Sequence, residues 1–162
     1  MYLFFNYVNN LFMKRLLAFF LLLGILSVLV FYKTDSNPIF DLKAEQVCFV
    51  SEKTLKGCSG VQCGDVIFNY CSYEEAVSNL NDLEKESTAV QLYYEDLSFE
   101  GVLSFMKANV VVEEEVDGVL VYYLYSPYCK ERVLVQNKFV NMQVVLKGHN
   151  LIVGMPIILT GY

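Results

Sequence analysis

The sequence predicts an α+β protein: a curved antiparallel β-sheet with two helices packed on one face, preceded by one N-terminal transmembrane helix. Three observations predict it. An uncharged apolar run stands near the start, and helix-start signals sit between apolar alternating segments. The last third alternates with period two and is punctuated by tight-turn pairs.

Leu16 to Tyr32 (LLAFFLLLGILSVLVFY) is seventeen residues without a charge. At about 1.5 Å per residue it just spans a hydrocarbon core of about 30 Å. Lys14 and Arg15 precede it, and the positive-inside bias puts that end in the cytoplasm and the rest of the chain outside. A cleaved signal peptide is the rival reading. The run is longer than an ordinary signal core, and its exit, Val30-Phe31-Tyr32-Lys33-Thr34, offers no small-x-small cleavage site. Met13 directly precedes the Lys-Arg pair and is a second candidate start beside Met1. The expected organisation is a cytoplasmic stub and anchor over residues 1–33 (helix about 16–32), a linker over 34–43 containing Pro38, and an extracytoplasmic domain over 44–162.

Within that domain, Glu45 to Ser51 reads as a first strand and the glycine-rich stretch Lys56 to Gly64 as a loop. Asp65 to Cys71 follows as a strand with Val66, Phe68 and Tyr70 on one face. Ser72 and Glu75 form an S-x-x-E capping box, in which each side chain satisfies a free backbone donor. Ala76, Val77, Leu80 and Leu83 then recur at helical spacing, with Glu74, Asn81, Asp82 and Lys85 opposite. Thr88 to Tyr94 is the next strand. Ser98 caps a shorter helix with Phe99, Val102, Leu103 and Met106 as its apolar stripe, weakened by Gly101.

From Asn109 the chain reads as a meander. Asp117-Gly118 joins Val110–Val116 to Val119–Tyr125, because glycine tolerates the positive φ of a two-residue turn. Asn137-Lys138 joins Arg132–Gln136 to Phe139–Leu146. There Val140, Met142, Val144 and Leu146 form an inward face, while Asn141, Gln143 and Val145 form a more polar outward one. Gly148-His149-Asn150 turns into Leu151–Leu159, which Pro156 interrupts or pushes to an edge.

Charge narrows the function. All 18 acidic residues lie after Lys33, together with nine of the 12 basic ones, so that part of the chain carries a formal charge of −9. Phosphate backbones are repelled by such a surface, and nucleic acid is not an expected partner. His149 is the only histidine, so a histidine-rich metal site is excluded and no nucleophile-elbow serine accompanies it. Cofactors and metals are not expected. The five cysteines lack the C-x-x-C pairs of a structural zinc site. Cys58 and Cys63 share one loop and are the candidate disulfide. Cys48 and Cys71 lie in strands that can be neighbours, one cysteine is left over, and reduced core cysteines are the plain alternative.

Two surface features remain. Glu113-Glu114-Glu115 with Asp117 is the densest acidic run; it could serve a secreted hydrolase as acid and base, the alternative function, or be a solvated strand face that discourages edge pairing. Tyr122, Tyr123, Tyr125 and Tyr128, with Asn141 and Gln143, form the candidate interaction surface, since tyrosine supplies contact area at low entropic cost.

The C-terminal stretch carries a family resemblance. Val121-Tyr122-Tyr123-Leu124-Tyr125-Ser126-Pro127, then Val140-Asn141-Met142-Gln143-Val144, then Val153-Gly154-Met155-Pro156-Ile157-Ile158, ending at Tyr162, resembles the YwmB family. These are exported proteins associated with sporulating Gram-positive bacteria. Their end reads as a V-N-hydrophobe-Q strand, a Gly-x-Pro-Ile step and a closing aromatic. The match covers about 45 residues, and residues 65–118 agree in element order. The resemblance implies a fold like that of the TATA-box-binding protein, no DNA binding, and no catalytic residue to carry over. The expected function is a membrane-anchored, extracytoplasmic, non-enzymatic interaction or structural domain, linked to sporulation or the cell envelope. Its partner would be an unidentified protein or envelope component.

Overall fold

The computed structural model describes residues 37–159. The N-terminal anchor, the signal-peptide alternative, the choice between Met1 and Met13, and Tyr162 lie outside the described residues. Among those described, no helix is long and apolar enough to cross a membrane.

The domain is α+β, and its main sheet has eight strands joined by antiparallel pairings throughout. In chain order the strands are β1 (Gln46–Ser51), β2 (Ser59–Cys63), β3 (Val66–Cys71), β4 (Ala89–Glu95), β5 (Asn109–Val116), β6 (Val119–Tyr125), β7 (Val133–Val135), β8 (Lys138–Val140), β9 (Met142–Lys147) and β10 (Asn150–Met155). Across the sheet they run β2-β3-β1-β4-β10-β9-β6-β5, and β7-β8 form a separate hairpin. The β4–β10 pairing joins the first four strands to the C-terminal meander.

Three short helices, α1 (Tyr73–Ser78), α2 (Leu80–Glu86) and α3 (Phe99–Phe105), are described, where two were expected. The capping box forms as read: Ser72 accepts from the Glu75 N–H while Glu75 accepts from the Ser72 N–H. The helix it starts is broken at Asn79, where φ is −119°. Ser78 Oγ and Asn79 Nδ2 both donate to the Glu75 carbonyl, 2.9 and 3.1 Å away. Such local side-chain bonds compete with the helical ladder, and the chain restarts as α2. In α3, Ser98 caps the Gly101 N–H at 3.0 Å. A Cβ at Gly101 would lie 2.8 Å from that capping oxygen, so the glycine makes room for its own cap.

The helices bury Ala76, Leu83 and Val102 in one cluster with Val47, Phe49, Leu92, Val153, Val144 and Leu124. That cluster is one face of the sheet, because side chains alternate and these positions pair in register. The segment read as a linker belongs to it in part. Asn37 caps a 3-10 turn, Pro38–Asp41, whose Ile39 and Phe40 are fully or almost fully buried. The opposite face is also apolar, with Cys48, Val50 and Phe68 in one patch and Val121, Val145, Ile152 and Ile158 in another. After the cis Met155–Pro156 bond the chain returns over this face, and the Ile158 N–H donates to Gln143 Oε1 at 2.8 Å.

Lys56 to Gly64, read as a loop, contains β2, an exposed edge strand. Gly64, at φ +62°, starts the two-residue turn into β3. This turn also decides the disulfide. The register places Ser59 opposite Tyr70, so Cys58 comes to stand beside Cys71, and these two are bonded. Cys63 is opposite Val66 at the other end of the hairpin and is a free, exposed thiol. The expected Cys58–Cys63 ring is thereby corrected. Replacing both Cys58 and Cys71 with serine reopens a loop of sequence separation 13. The expected cost is about 3 kcal/mol of unfolding free energy, measured by urea titration against the oxidised wild type.

Candidate functional site

Serving as the frame of the candidate site, β6 leads into the loop Ser126–Cys129 and then the β7–β8 hairpin. Its end is locked from inside by Asn141, which is completely buried. Asn141 Oδ1 accepts from the Ser126 N–H at 2.7 Å, and its Nδ2 donates to the carbonyls of Ser126 and Cys129 at 2.7 and 2.9 Å. Ser126 Oγ in turn donates to the Met106 carbonyl at 2.7 Å, tying the loop to the end of α3. Such a satisfied buried network fixes one loop conformation.

The expected tyrosine surface therefore divides. Tyr122 lies on the helix face, stacked on Phe99 with ring centroids 4.3 Å apart. Tyr123 points to the other face, where its hydroxyl donates to Glu114 Oε1 at 2.6 Å. Both are half-buried. Tyr125 is covered by the Arg132 guanidinium, 5.2 Å from the ring centre, which also donates to its hydroxyl at 2.9 Å. Tyr128 is exposed, with the Lys107 ammonium 5.6 Å from its ring centre. Asn141 and Gln143 are interior, 0% and 2% exposed, so the expectation that they form a polar outward face is corrected. Gln143 receives the returning C-terminal segment and Asn141 clasps a loop. Alternation places polar residues, but it does not reveal when their partners are the chain's own backbone.

The exposed part that remains is Tyr128 and the hairpin, with Tyr125 half-buried beneath Arg132. In β7–β8, Gln136 and Asn137 take positive φ values of 48° and 61°, the left-handed pair that a two-residue hairpin turn requires. The turn thus sits one residue earlier than the Asn137-Lys138 expected from sequence. Leu134 stands opposite Phe139, and the two are 64% and 61% exposed.

The acidic run lies on the edge strand β5, where Glu113 and Glu115 are exposed and Glu114 is half-buried under the Tyr123 hydroxyl. His149 is exposed in the β9–β10 turn, its carbonyl accepting from the Asp96 N–H. Among the described residues no three His, Cys, Asp or Glu side chains converge as metal ligands.

Sequence reading missed a thiol-phenol cluster on the helix-free face. Burial pushes the Cys48 thiol up to about 12, with hydrogen bonds to Tyr70 and to the Asn69 backbone pulling partly the other way. Tyr70 is likewise pushed up to about 12, by burial first and then by Cys48 and Tyr93. Cys129 is raised by burial, with hydrogen bonds to Asn37 and Ser126 opposing. A thiol held protonated is a poor nucleophile. The native protein at pH 8 is expected to take up iodoacetamide rapidly at Cys63 alone, with Cys48 and Cys129 reacting only after unfolding. Peptide mass mapping of a time course checks this.

No family model, curated protein or solved structure matches this chain.

Proposed function

We propose that this chain is a membrane-anchored, extracytoplasmic, non-enzymatic interaction or structural domain of the YwmB type, linked to sporulation or the cell envelope. In this reading the sheet is the curved form found in the TATA-box-binding protein, without DNA binding. One observation carries it: seventeen uncharged residues stand behind Lys14-Arg15, and every carboxylate of the chain lies beyond Lys33.

The residues behind the resemblance give it physical support. Asn141 and Gln143 of the V-N-hydrophobe-Q strand each bind backbone of a neighbouring segment. Gly154 of the Gly-x-Pro-Ile step lies where a Cβ would stand 2.7 Å from the backbone of Ile157 and Ile158. These positions maintain the fold, and the partner-facing position in this reading is exposed Tyr128, in the loop after β6, with half-buried Tyr125 beside it under Arg132.

Fractionation tests the anchor. Deleting residues 14–32 is expected to move the protein from the detergent-extractable membrane fraction to the soluble fraction. A wild-type protein already soluble in the cytosol would overturn the reading.

A further inference from the structure

We propose that the β7–β8 hairpin is a membrane-surface probe: Leu134 and Phe139 enter the interface of an anionic bilayer while Lys107 and Arg132 meet its headgroups. The hairpin has two unlike faces. Val140 is fully buried and Val133 and Val135 are half-buried, and Lys138 on the same side donates from Nζ to the Val111 carbonyl at 3.2 Å. That side lies against the domain. The other side presents Leu134 and Phe139, cross-strand neighbours and the two most exposed large apolar side chains described.

Charge selects the occupant. The described residues hold nine basic and 17 acidic side chains, yet the stretch Cys129–Val140 holds Lys130, Arg132 and Lys138 against Glu131 alone. Lys107 joins this end through Tyr128 and the Ser126–Met106 bond. Lys130 is partly engaged by Glu84, whose carboxyl is raised by burial and pulled back by that ammonium. Lys107 and Arg132 instead lie over two tyrosine rings, and the ion pairs Lys43–Glu74 and Lys53–Glu86 lie elsewhere. Neither cation belongs to those ion pairs, and Arg132 stands two residues before Leu134 in the chain. An exposed apolar pair on a locally basic stretch of chain suits a bilayer interface with anionic headgroups. A second copy fits less well, because like charges would face each other across two side chains. That patch is far below the area of a stable interface, about 1,200 Å² or more.

The chain contains no tryptophan, so Phe139→Trp in the full-length protein places a single reporter at an exposed position. With vesicles of phosphatidylcholine and phosphatidylglycerol, its emission is expected to shift to the blue and lose iodide quenching. The shift should fall as salt rises and vanish in the Lys107→Glu, Arg132→Glu background. With phosphatidylcholine alone no shift is expected. A retained anchor gives a separable result: it brings the protein down with both vesicle types without moving the reporter's emission. Unchanged emission on anionic vesicles overturns the proposal. So does a lipid-independent shift that grows with protein concentration, which would mark self-association, or a shift induced by a soluble acidic peptide and not by vesicles.

Discussion

Replacing Asn141 with alanine is expected to cost the domain about 3–5 kcal/mol of unfolding free energy. The side chain is 0% exposed and closes three hydrogen bonds of 2.7, 2.7 and 2.9 Å. Its removal leaves one backbone N–H and two carbonyls without this partner, and each buried group stranded in this way costs about 1–3 kcal/mol. A small domain has only about 5–15 kcal/mol in total, so the variant stands near the threshold of folding. Asn141→Asp separates hydrogen bonding from size. It retains the acceptor for the Ser126 N–H but turns a carboxylate toward the carbonyls of Ser126 and Cys129. It is expected to be at least as destabilised as the alanine variant at neutral pH, and to recover in part where the carboxyl protonates. Urea titrations at two pH values measure both effects. Stability of Asn141→Ala within about 0.5 kcal/mol of wild type would remove the clasp from the account, since that is the range of ordinary surface substitutions.

Phe49→Ala is expected to cost a similar amount, about 3–5 kcal/mol, through a different mechanism. Phe49 is fully buried in the centre of β1, facing the helices, and its ring stacks with Phe40 at 6.4 Å. Truncation removes apolar contact and leaves a cavity that the paired strands on either side hinder from collapsing. Phe49→Leu keeps most of the volume and should lose about half as much or less. Denaturant titration ranks the three proteins, and equal stability of the alanine and leucine variants would contradict a cavity mechanism.

These two residues also show what was legible in the sequence. Phe49 sits in an apolar segment bounded by polar residues, and periodicity found its strand, as it found the hairpin at Asp117-Gly118 and the Ser72 capping box. Local chemistry announces itself locally. Strand β2 was hidden because an exposed edge of Ser, Gly, Val, Gln and Cys has no buried face to alternate with. The disulfide was hidden with it. Once Gly64-Asp65 is recognised as a turn, the residue opposite Cys58 is Cys71, and the loop-mate Cys63 faces Val66. The break at Asn79 was concealed by apolar residues on both sides that kept helical spacing through it.

The candidate site was less legible than the fold. Tyr128 does reach the surface and Tyr125 stays half-buried, but Arg132 and Lys107 come to them from outside β6, Lys107 from just beyond α3. Asn141 and Gln143 looked like surface because alternation assigns polarity to solvent. In the fold they satisfy backbone across 15 residues of sequence, a separation that no local pattern encodes. The Leu134–Phe139 pair depends on where the turn falls. Moving the turn from Asn137-Lys138 to Gln136-Asn137 puts these two side chains opposite one another.

Orientation across the membrane is the central claim, and Cys63 offers the means to read it. This thiol is free and exposed at the end of β2, whereas the other two free thiols are buried. Intact cells, stripped of wall but not permeabilised, are treated with a membrane-impermeant maleimide. The wild-type protein is expected to be labelled and Cys63→Ser to stay unlabelled, with no gain on permeabilisation. Labelling of Cys63 only after the membrane is opened would put the domain in the cytoplasm and contradict the account.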